Sequence, residues 1–490
     1  MTAEPRQSLE QKATSAAKWS LLTEVLVKLV TPVIQLVLAR ILSPEAFGMV
    51  ATVTMVTSFG EMLSDSGFQK YLIQHEFRDN RDLENNANVA FWTNLCIAVC
   101  LWVLISLFRD ELAALVGNPG LGFPLMIASF SLPLQSFSSI QLALYRREFR
   151  FKKLLPVRVM VALVPLFVTL PLALSGIGFW SLIIGTLTGG FVNAVALTVM
   201  SRWRPSLFYS FDILKQMFSF SGWSLLEAIA IWLTSWSGTF IVGTILSSYY
   251  LGLYKQPMTI VNSVFSLITT ATTPVLFASL SRLQSDSSAF KNFYYKFQFS
   301  VGMFVLPLGI GIFLFRKFVT DLVLGNQWGE ASLMLGAWGL SSGVMIVFSF
   351  YCSEVFRSLG KPKVSLFAQC LYMLIMVPTL FISSRISFTS LVIANAIVRL
   401  SAILINETLC YLVAGIKIQA TLKRLRTPLT GVFAMACAGA VFVRAAGEDI
   451  AMNLLAILGC AVVYFLAILV FEDGRHFIKS LVNRGLTSRF

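Results

Sequence analysis

The sequence predicts an all-α polytopic membrane protein with about 14 transmembrane helices, arranged as two six-helix lobes in a parallel pseudo-twofold repeat plus two extra C-terminal helices. The first observation is composition: 56% of the residues are hydrophobic and 13% are charged, whereas a soluble domain carries about 25% charged residues. The second is that charge-poor segments long enough to cross a bilayer recur from end to end. The third is a short motif that recurs 204 residues later.

The apolar segments are continuous rather than alternating, which argues against a transmembrane β-barrel. The first segment is too long for a signal-peptide core, so we expect it to remain as an uncleaved first span. The fourteen candidate spans are 18–42, 46–63, 87–108, 121–145, 156–175, 178–200, 220–246, 249–276, 298–320, 331–353, 365–384, 387–413, 429–446 and 451–471.

The basic residues predict the orientation of these spans. If the N-terminus is cytoplasmic, 29 of the 38 Lys and Arg residues fall on the cytoplasmic side and 7 on the other side. This bias is the positive-inside pattern, so we expect a multi-pass membrane protein with both termini in the cytoplasm. The net charge of +14 is then explained by loops that face anionic lipid headgroups, and no nucleic-acid partner is implied.

An internal repeat divides the chain. "WSLL" occurs at 19–22 and again at 223–226, and at the same offset "ILSPEAFG" (41–48) falls on "ILSSYYLG" (245–252). Six spans separate the copies, and an even number gives both copies the same orientation. The predicted domains are a first lobe over 1–205, a second lobe over 206–415, and two added helices with a tail over 416–490. Two lobes related in this way are typical of transporters that work by alternating access.

Polar side chains in the first span form a narrow stripe. Ser20, Glu24, Lys28, Thr31 and Gln35 are spaced by 4, 4, 3 and 4 residues, which places them on one helix face. Glu24 and Lys28 can pair at i, i+4. A charge at the centre of a membrane still costs about 2.5–3.5 kcal/mol on insertion scales, so we expect the stripe to face a wet cavity or another polar helix.

The second, seventh and eighth spans carry similar polar positions, so the first two spans of each lobe are predicted to line the cavity. Small polar residues in membranes also bond their own backbone or hold helices together, and that interpretation stays open for the Ser and Thr positions. The candidate cavity residues are Glu24, Lys28, Thr31, Gln35, Glu61, Asp65, Glu227 and Gln256.

Catalytic and metal chemistry have little support in the sequence. The seven cysteines fall within predicted spans and the two histidines in predicted loops, so we expect no metal site. The pattern GxxxxGK[ST] does not occur, which argues against direct use of ATP. The longest outer loop, 109–120, is too short to carry the active site of a membrane glycosyltransferase. We therefore predict no cofactor and no enzymatic activity.

Five stretches resemble the bacterial polysaccharide-transporter family, which includes Wzx-type flippases and exporters of the colanic-acid and teichuronic-acid kind. These stretches are "AAKWS" (16–20), "LARILSPEAFGMV" (38–50), "LSDSGFQKYLIQ" (63–74), "ALYRREFRFKKL" (143–154) and "RSLGKPKVS" (357–365). The family belongs to the multidrug/oligosaccharidyl-lipid/polysaccharide exporter superfamily. The resemblance covers about residues 10–415 in order.

The resemblance implies two lobes in a V-shape, with spans 1, 2, 7 and 8 lining the cavity. It implies as substrate an oligosaccharide repeat unit on undecaprenyl pyrophosphate, moved to the periplasmic leaflet, and as partner a polysaccharide polymerase or export complex. Lys28 is the cationic residue that would meet this anionic substrate. Two alternatives remain open: a drug/cation antiporter of the same superfamily, and a flippase for a peptidoglycan lipid precursor.

Overall fold

A computed structural model describes residues 6–65 and 67–487 of the chain. The described side chains exclude those of residues 6–18, 21–22, 25, 219–224, 226–227 and 481–487. Within this part of the chain the regular structure is helical throughout, and it divides into two compact units, 1–256 and 257–490.

In the first unit the α-helices are, in chain order, α1 (Arg6–Ile41), α2 (Pro44–Asp65), α3 (Phe68–Gln74), α4 (Asn80–Leu107), α5 (Arg109–Leu115), α6 (Gly122–Ala128), α7 (Ser131–Arg147), α8 (Phe151–Val164), α9 (Leu170–Leu174), α10 (Trp180–Met200), α11 (Phe211–Ile245) and the start of α12 (Ser248–Arg282). A 3₁₀ turn at Pro119–Leu121 precedes α6, and a π-helical turn at Pro165–Thr169 joins α8 to α9.

In the second unit, after the rest of α12, the α-helices are α13 (Ser287–Leu314), α14 (Arg316–Val323), α15 (Ser332–Met345), α16 (Cys352–Ser358), α17 (Pro362–Ser384), α18 (Phe388–Ala414), α19 (Ile418–Ala446), α20 (Ile450–Leu469) and α21 (Glu472–Thr487). A 3₁₀ turn at Asn326–Ala331 precedes α15, and a π-helical turn at Ile346–Phe350 follows it.

Side-chain caps fix where several long helices begin. Asp79, Asp286, Ser387 and Asp449 each accept a hydrogen bond from a backbone N–H in the first turn of α4, α13, α18 and α20. These caps satisfy amide groups that the helix itself leaves without partners. At its other end α18 stops at Gly415, whose φ of 65° suits glycine.

The prediction of a helical, multi-pass membrane protein is confirmed. Among the described residues, thirteen helical segments are long and apolar enough to cross a bilayer. The first predicted span, 18–42, overlaps α1, which begins earlier, at Arg6, and ends at Ile41; part of the side chains of α1 lies outside the described residues. The ninth predicted span, 298–320, runs too far, because α13 ends at Leu314 and the short amphipathic helix α14 follows.

The starts of α2 and α12 approach each other closely in the first unit. A methyl group added at Gly48 would lie 1.7 Å from the carbonyl oxygen of Ser248, and one added at Gly252 would lie 1.8 Å from the carbonyl oxygen of Pro44. Both pairs, Gly48 with Gly252 and Pro44 with Ser248, are separated by the 204 residues of the sequence repeat. The contact is therefore reciprocal, and only glycine fits on either side of it.

We predict that Gly48→Ala and Gly252→Ala each destabilise the protein. The added methyl group must displace backbone atoms, and overpacking of this kind costs about 1–3 kcal/mol or more. The unfolding midpoint of the detergent-solubilised protein, followed by the loss of the monodisperse peak after heating, should fall by several degrees, on the order expected for that energy.

Gly189→Ala is the matched control, since a methyl group there would meet nothing closer than 3.8 Å. This helical substitution should leave the midpoint unchanged or raise it slightly. Equal midpoints for all three variants would contradict the close approach.

Candidate functional site

A polar cavity of about 540 Å³ lies inside the first unit. It opens between α2, α7, α8, the π-helical turn and α10, and α1 contributes Gln35 and Leu38, α3 Gln69 and α4 Asn94. Most helices that enclose it are apolar enough to span a membrane. The cavity therefore gathers polar groups that hydrocarbon could not solvate.

Two carboxylates line this cavity from the end of α2. Glu61 accepts a hydrogen bond from the side-chain amide of Gln135 on α7. Asp65 is hydrogen-bonded to Gln69 and interacts electrostatically with Lys70 and Arg146. Carboxylates inside a membrane bundle need such partners because an isolated charge is costly there.

Basic groups stand close to these carboxylates. Arg158 on α8 lines the cavity, and Arg146 at the end of α7 interacts electrostatically with Arg158, Asp65 and Glu24. The cavity thus carries charges of both signs, and it can offer hydrogen bonds and charge to an anionic or a cationic group.

Neutral hydrogen bonds tie the remaining walls together. Asn94 on α4 accepts from Ser64 at 2.6 Å and donates to Ser139 on α7 at 2.7 Å. Asn193 on α10 donates to Ser138 on α7 at 3.1 Å. These amides and hydroxyls hold four helices (α2, α4, α7 and α10) in register and place hydroxyl and amide groups on the cavity wall.

The structure brings together three of the residues proposed from the sequence: Gln35, Glu61 and Asp65 all line the cavity. Glu24 is exposed and lies within electrostatic range of Arg146, outside the lining itself. Lys28 is half-buried and Thr31 exposed on the same helix, and neither lines the cavity.

Of the two proposed residues on the later helices, Gln256 does not line this cavity. Gln256 on α12 is buried, and its side-chain nitrogen has no hydrogen-bond partner among the described residues. The side chain of Glu227 lies outside the described residues.

Most of the cavity wall was missed by reasoning from the sequence, which favoured the first two spans of the lobe. The fourth, fifth and sixth spans supply the larger share, including Gln135, Ser139, Arg158 and Asn193. The signal was present in "SLPLQSFSSIQ" (131–141), where six Ser and Gln residues interrupt an otherwise apolar span. Among the described residues, no group of three His, Cys, Asp or Glu side chains is arranged to hold a metal ion.

The fold and this cavity define the class: a multi-pass helical membrane protein with a transporter fold. The structure is similar to that of the lipid II flippase MurJ in an inward closed conformation, with a TM-score of 0.73 and 13% identity, over 93% of this chain and 99% of that one. It is also similar to an inward-facing multidrug resistance MATE family transporter of the MOP superfamily, with a TM-score of 0.58 and 14% identity, over 81% of this chain and 99% of that one.

The family model described as "Polysaccharide biosynthesis protein" matches residues 37–333. The chain belongs to this polysaccharide biosynthesis protein family, so the resemblance found in the sequence is confirmed.

Two relatives show this similarity along most of the chain. The succinoglycan biosynthesis transport protein ExoT of Rhizobium meliloti (strain 1021) is 27% identical over 63% of this chain and 62% of the relative. The lipopolysaccharide biosynthesis protein WzxC of Escherichia coli (strain K12) is 24% identical over 66% of this chain and 65% of the relative. The chain spans less than two thirds of the length of both.

We predict that the cavity is filled with water. In a protein whose native cysteines are replaced by serine, Gln135→Cys on the cavity wall should react with a water-soluble maleimide, because the reactive thiolate forms where water solvates it. Phe137→Cys, on the same helix but in a groove lined by apolar side chains, should react about tenfold more slowly for the same reason. Similar rates measured by mass spectrometry would contradict a wet cavity.

Proposed function

We propose that the protein is a flippase that moves undecaprenyl-pyrophosphate-linked oligosaccharide repeat units from the cytoplasmic to the periplasmic leaflet for the synthesis of a surface polysaccharide (an exopolysaccharide, capsule or O-antigen). The observation that carries the proposal is the polar cavity enclosed by apolar helices in a chain of the polysaccharide biosynthesis protein family. The proposal is also supported by the names of two relatives, a succinoglycan biosynthesis transport protein and a lipopolysaccharide biosynthesis protein.

The physical problem explains why such a cavity is useful. A sugar headgroup carries many hydroxyls, and each one without a hydrogen-bond partner costs several kcal/mol in hydrocarbon. Gln35, Gln135 and Asn193 offer amide groups at the cavity, and its volume of about 540 Å³ is in the range of small-molecule sites. The polyprenyl tail stays in the bilayer while the headgroup passes through a hydrated route.

The mechanism proposed is alternating access, in which two six-helix lobes rock around the substrate. On this proposal the protein is a transporter and not an enzyme, and its energy comes from an ion gradient, the membrane potential or removal of product. The excess of basic residues in the even-numbered connections supports cytoplasmic termini in a bacterial inner membrane. Partners would be the lipid-linked oligosaccharide, the bilayer and a polysaccharide polymerase or export complex.

A second candidate is a drug/cation antiporter. The observation that favours it is the pair of carboxylates, Glu61 and Asp65, on the wall of the cavity. Carboxylates attract cationic drugs and coupling ions, whereas they repel a pyrophosphate. Arg158 on the same wall favours the anionic substrate instead.

Deleting the gene in its host should separate these functions. We expect a complete undecaprenyl-linked repeat unit to accumulate and the surface polysaccharide to disappear, with both restored by the wild-type gene. The mass of the accumulated lipid, measured on the extract, identifies the sugar. Accumulation of a peptidoglycan precursor would instead indicate a flippase for a peptidoglycan lipid precursor. Unchanged lipids with raised drug sensitivity would overturn the flippase proposal.

Complementation with Arg158→Gln tests the cavity. Loss of one charged hydrogen bond to the substrate is worth about 1.5–3 kcal/mol, so transport should fall about tenfold or more. Glu24→Gln and Lys28→Ala test the first helix in the same assay. Arg424→Gln, which removes an exposed arginine of α19, is the control and should complement fully. Full complementation by Arg158→Gln, Glu24→Gln and Lys28→Ala would show that these polar side chains of the first unit take no part in transport.

A further inference from the structure

The second unit contains a polar cavity of its own, of about 450 Å³. It lies between α12, α15, the π-helical turn that follows α15, α17 and α18. These are the second, fourth, fifth and sixth spans of the second predicted lobe. The cavity of the first unit is enclosed mainly by the second, fourth, fifth and sixth spans of the first lobe.

Arg399 is held in a defined orientation on the wall of this second cavity. Its guanidinium carbon lies 3.6 Å from the centre of the Trp338 ring, and its Nη2 donates to the hydroxyl of Ser342 at 3.0 Å. The indole N–H of Trp338 in turn donates to Asn262 at 2.9 Å. A guanidinium stacked on a ring directs its N–H groups outward in its own plane, in the fork that matches an oxyanion.

The cavity combines this cation with neutral groups. Among the described residues that line it, Arg399 is the one with a formal charge. The polar remainder consists of amides and hydroxyls, among them Asn262, Gln369, Tyr372 and Asn406. Such groups bind sugar hydroxyls, whereas the cavity of the first unit also carries the carboxylates Glu61 and Asp65.

The corresponding contact in the first unit shows what the arginine adds. There Asn193 donates to Ser138 at 3.1 Å, and the second unit has a matching contact, in which Asn406 donates to Ser349 at 3.0 Å. A neutral amide is thus sufficient to join these two helices. The second unit adds the positive charge of Arg399 to a cavity that already has such a contact, although a charge in a membrane span costs about 2.5–3.5 kcal/mol on insertion scales.

The acidic residue on the same helix does not belong to this cavity. Glu407 follows Arg399 by eight residues, which is about 12 Å along a helix axis. Glu407 is absent from the described lining, and its oxygens have no hydrogen-bond partner among the described residues. An ion pair between Arg399 and Glu407 is therefore not formed, and Arg399 is the formal charge on the described lining of the cavity.

We propose that the cavity of the second unit binds an oxyanion carried on a hydroxyl-rich headgroup, with Arg399 on Trp338 as the anchor. The proposal rests on the proposed function and extends it to the charge of the substrate. The oxyanion has two sources in such a substrate: the diphosphate of the lipid carrier, or the carboxylate of an acidic sugar. Amides and hydroxyls around the arginine would take the neighbouring sugar hydroxyls.

Ligand-induced thermal stabilisation of the purified protein in detergent tests this site directly. The probes are inorganic pyrophosphate, sodium glucuronate and neutral glucose, each in chloride buffers of constant ionic strength. A ligand that binds the folded state alone raises the unfolding midpoint, and at saturation we expect a rise of about 2 °C or more with an anionic probe. Arg399→Gln should abolish this rise, and Arg399→Lys should need about tenfold more probe because lysine lacks the planar fork.

Arg385→Gln is the matched control, since the guanidinium of Arg385 also lies over a ring, 4.3 Å from the centre of Phe381, but not in the cavity. This variant should keep the full rise. If Arg399→Gln does not fold, Ser342→Ala removes a single hydroxyl and should weaken the affinity for the anionic probe about threefold to tenfold, the usual range for one hydrogen bond.

The outcomes separate the sources and the two proposals. A rise with pyrophosphate alone assigns the site to the carrier diphosphate, a rise with glucuronate alone assigns it to an acidic sugar, and a rise with both supports a general oxyanion site. No rise with either anion, or an equal rise in Arg399→Gln, overturns the site. If neither anion raises the midpoint but lipid-linked sugar accumulates in the deletion strain, this site is overturned and the flippase proposal stands. If an anion raises the midpoint through Arg399 but no lipid-linked sugar accumulates, the site stands and the flippase proposal is overturned.

Discussion

Hydrocarbon offers no hydrogen bonds, so every polar side chain in a membrane bundle must find a partner or a cavity. This constraint organises both units of the protein. In the first unit the polar residues of α7 and α10 meet each other and the end of α2. In the second unit the polar residues of α15 and α18 meet each other. The outer faces are left to apolar side chains, among them Phe191 and Val199 on α10.

The same constraint explains how two related arrangements acquired different chemistry. In each unit an asparagine of the sixth span donates to a serine of the fourth span, Asn193 to Ser138 in the first unit and Asn406 to Ser349 in the second. The second unit adds the guanidinium of Arg399, which donates to Ser342, while carboxylates appear only on the described wall of the first cavity. A helical bundle built in this way presents mixed charge in one cavity and a single positive charge in another.

Close backbone packing is a second requirement of the bundle. Gly48 and Gly252 let the starts of α2 and α12 touch through backbone atoms, and the carbonyl groups they meet belong to Ser248 and Pro44. Asn118 adds a hydrogen bond to Thr52 at 3.2 Å beside this contact. Small residues of this kind allow membrane helices to gain van der Waals contact without a hydrophobic driving force between them.

The sequence by itself determined the helical membrane class, most span positions and the family, because hydropathy over about 20 residues depends on bilayer thickness and not on the partner of each helix. It also identified Gln35, Glu61 and Asp65, whose polar character in apolar spans is visible locally. Only the tertiary structure decided which polar residues share a cavity. The polar runs of α7 and α10 became a wall with Arg158 because those helices are neighbours, and Arg399 lies on Trp338 because α15 packs against α18. Helix periodicity fixes which face of a helix is polar, but packing between helices distant in sequence fixes what that face meets.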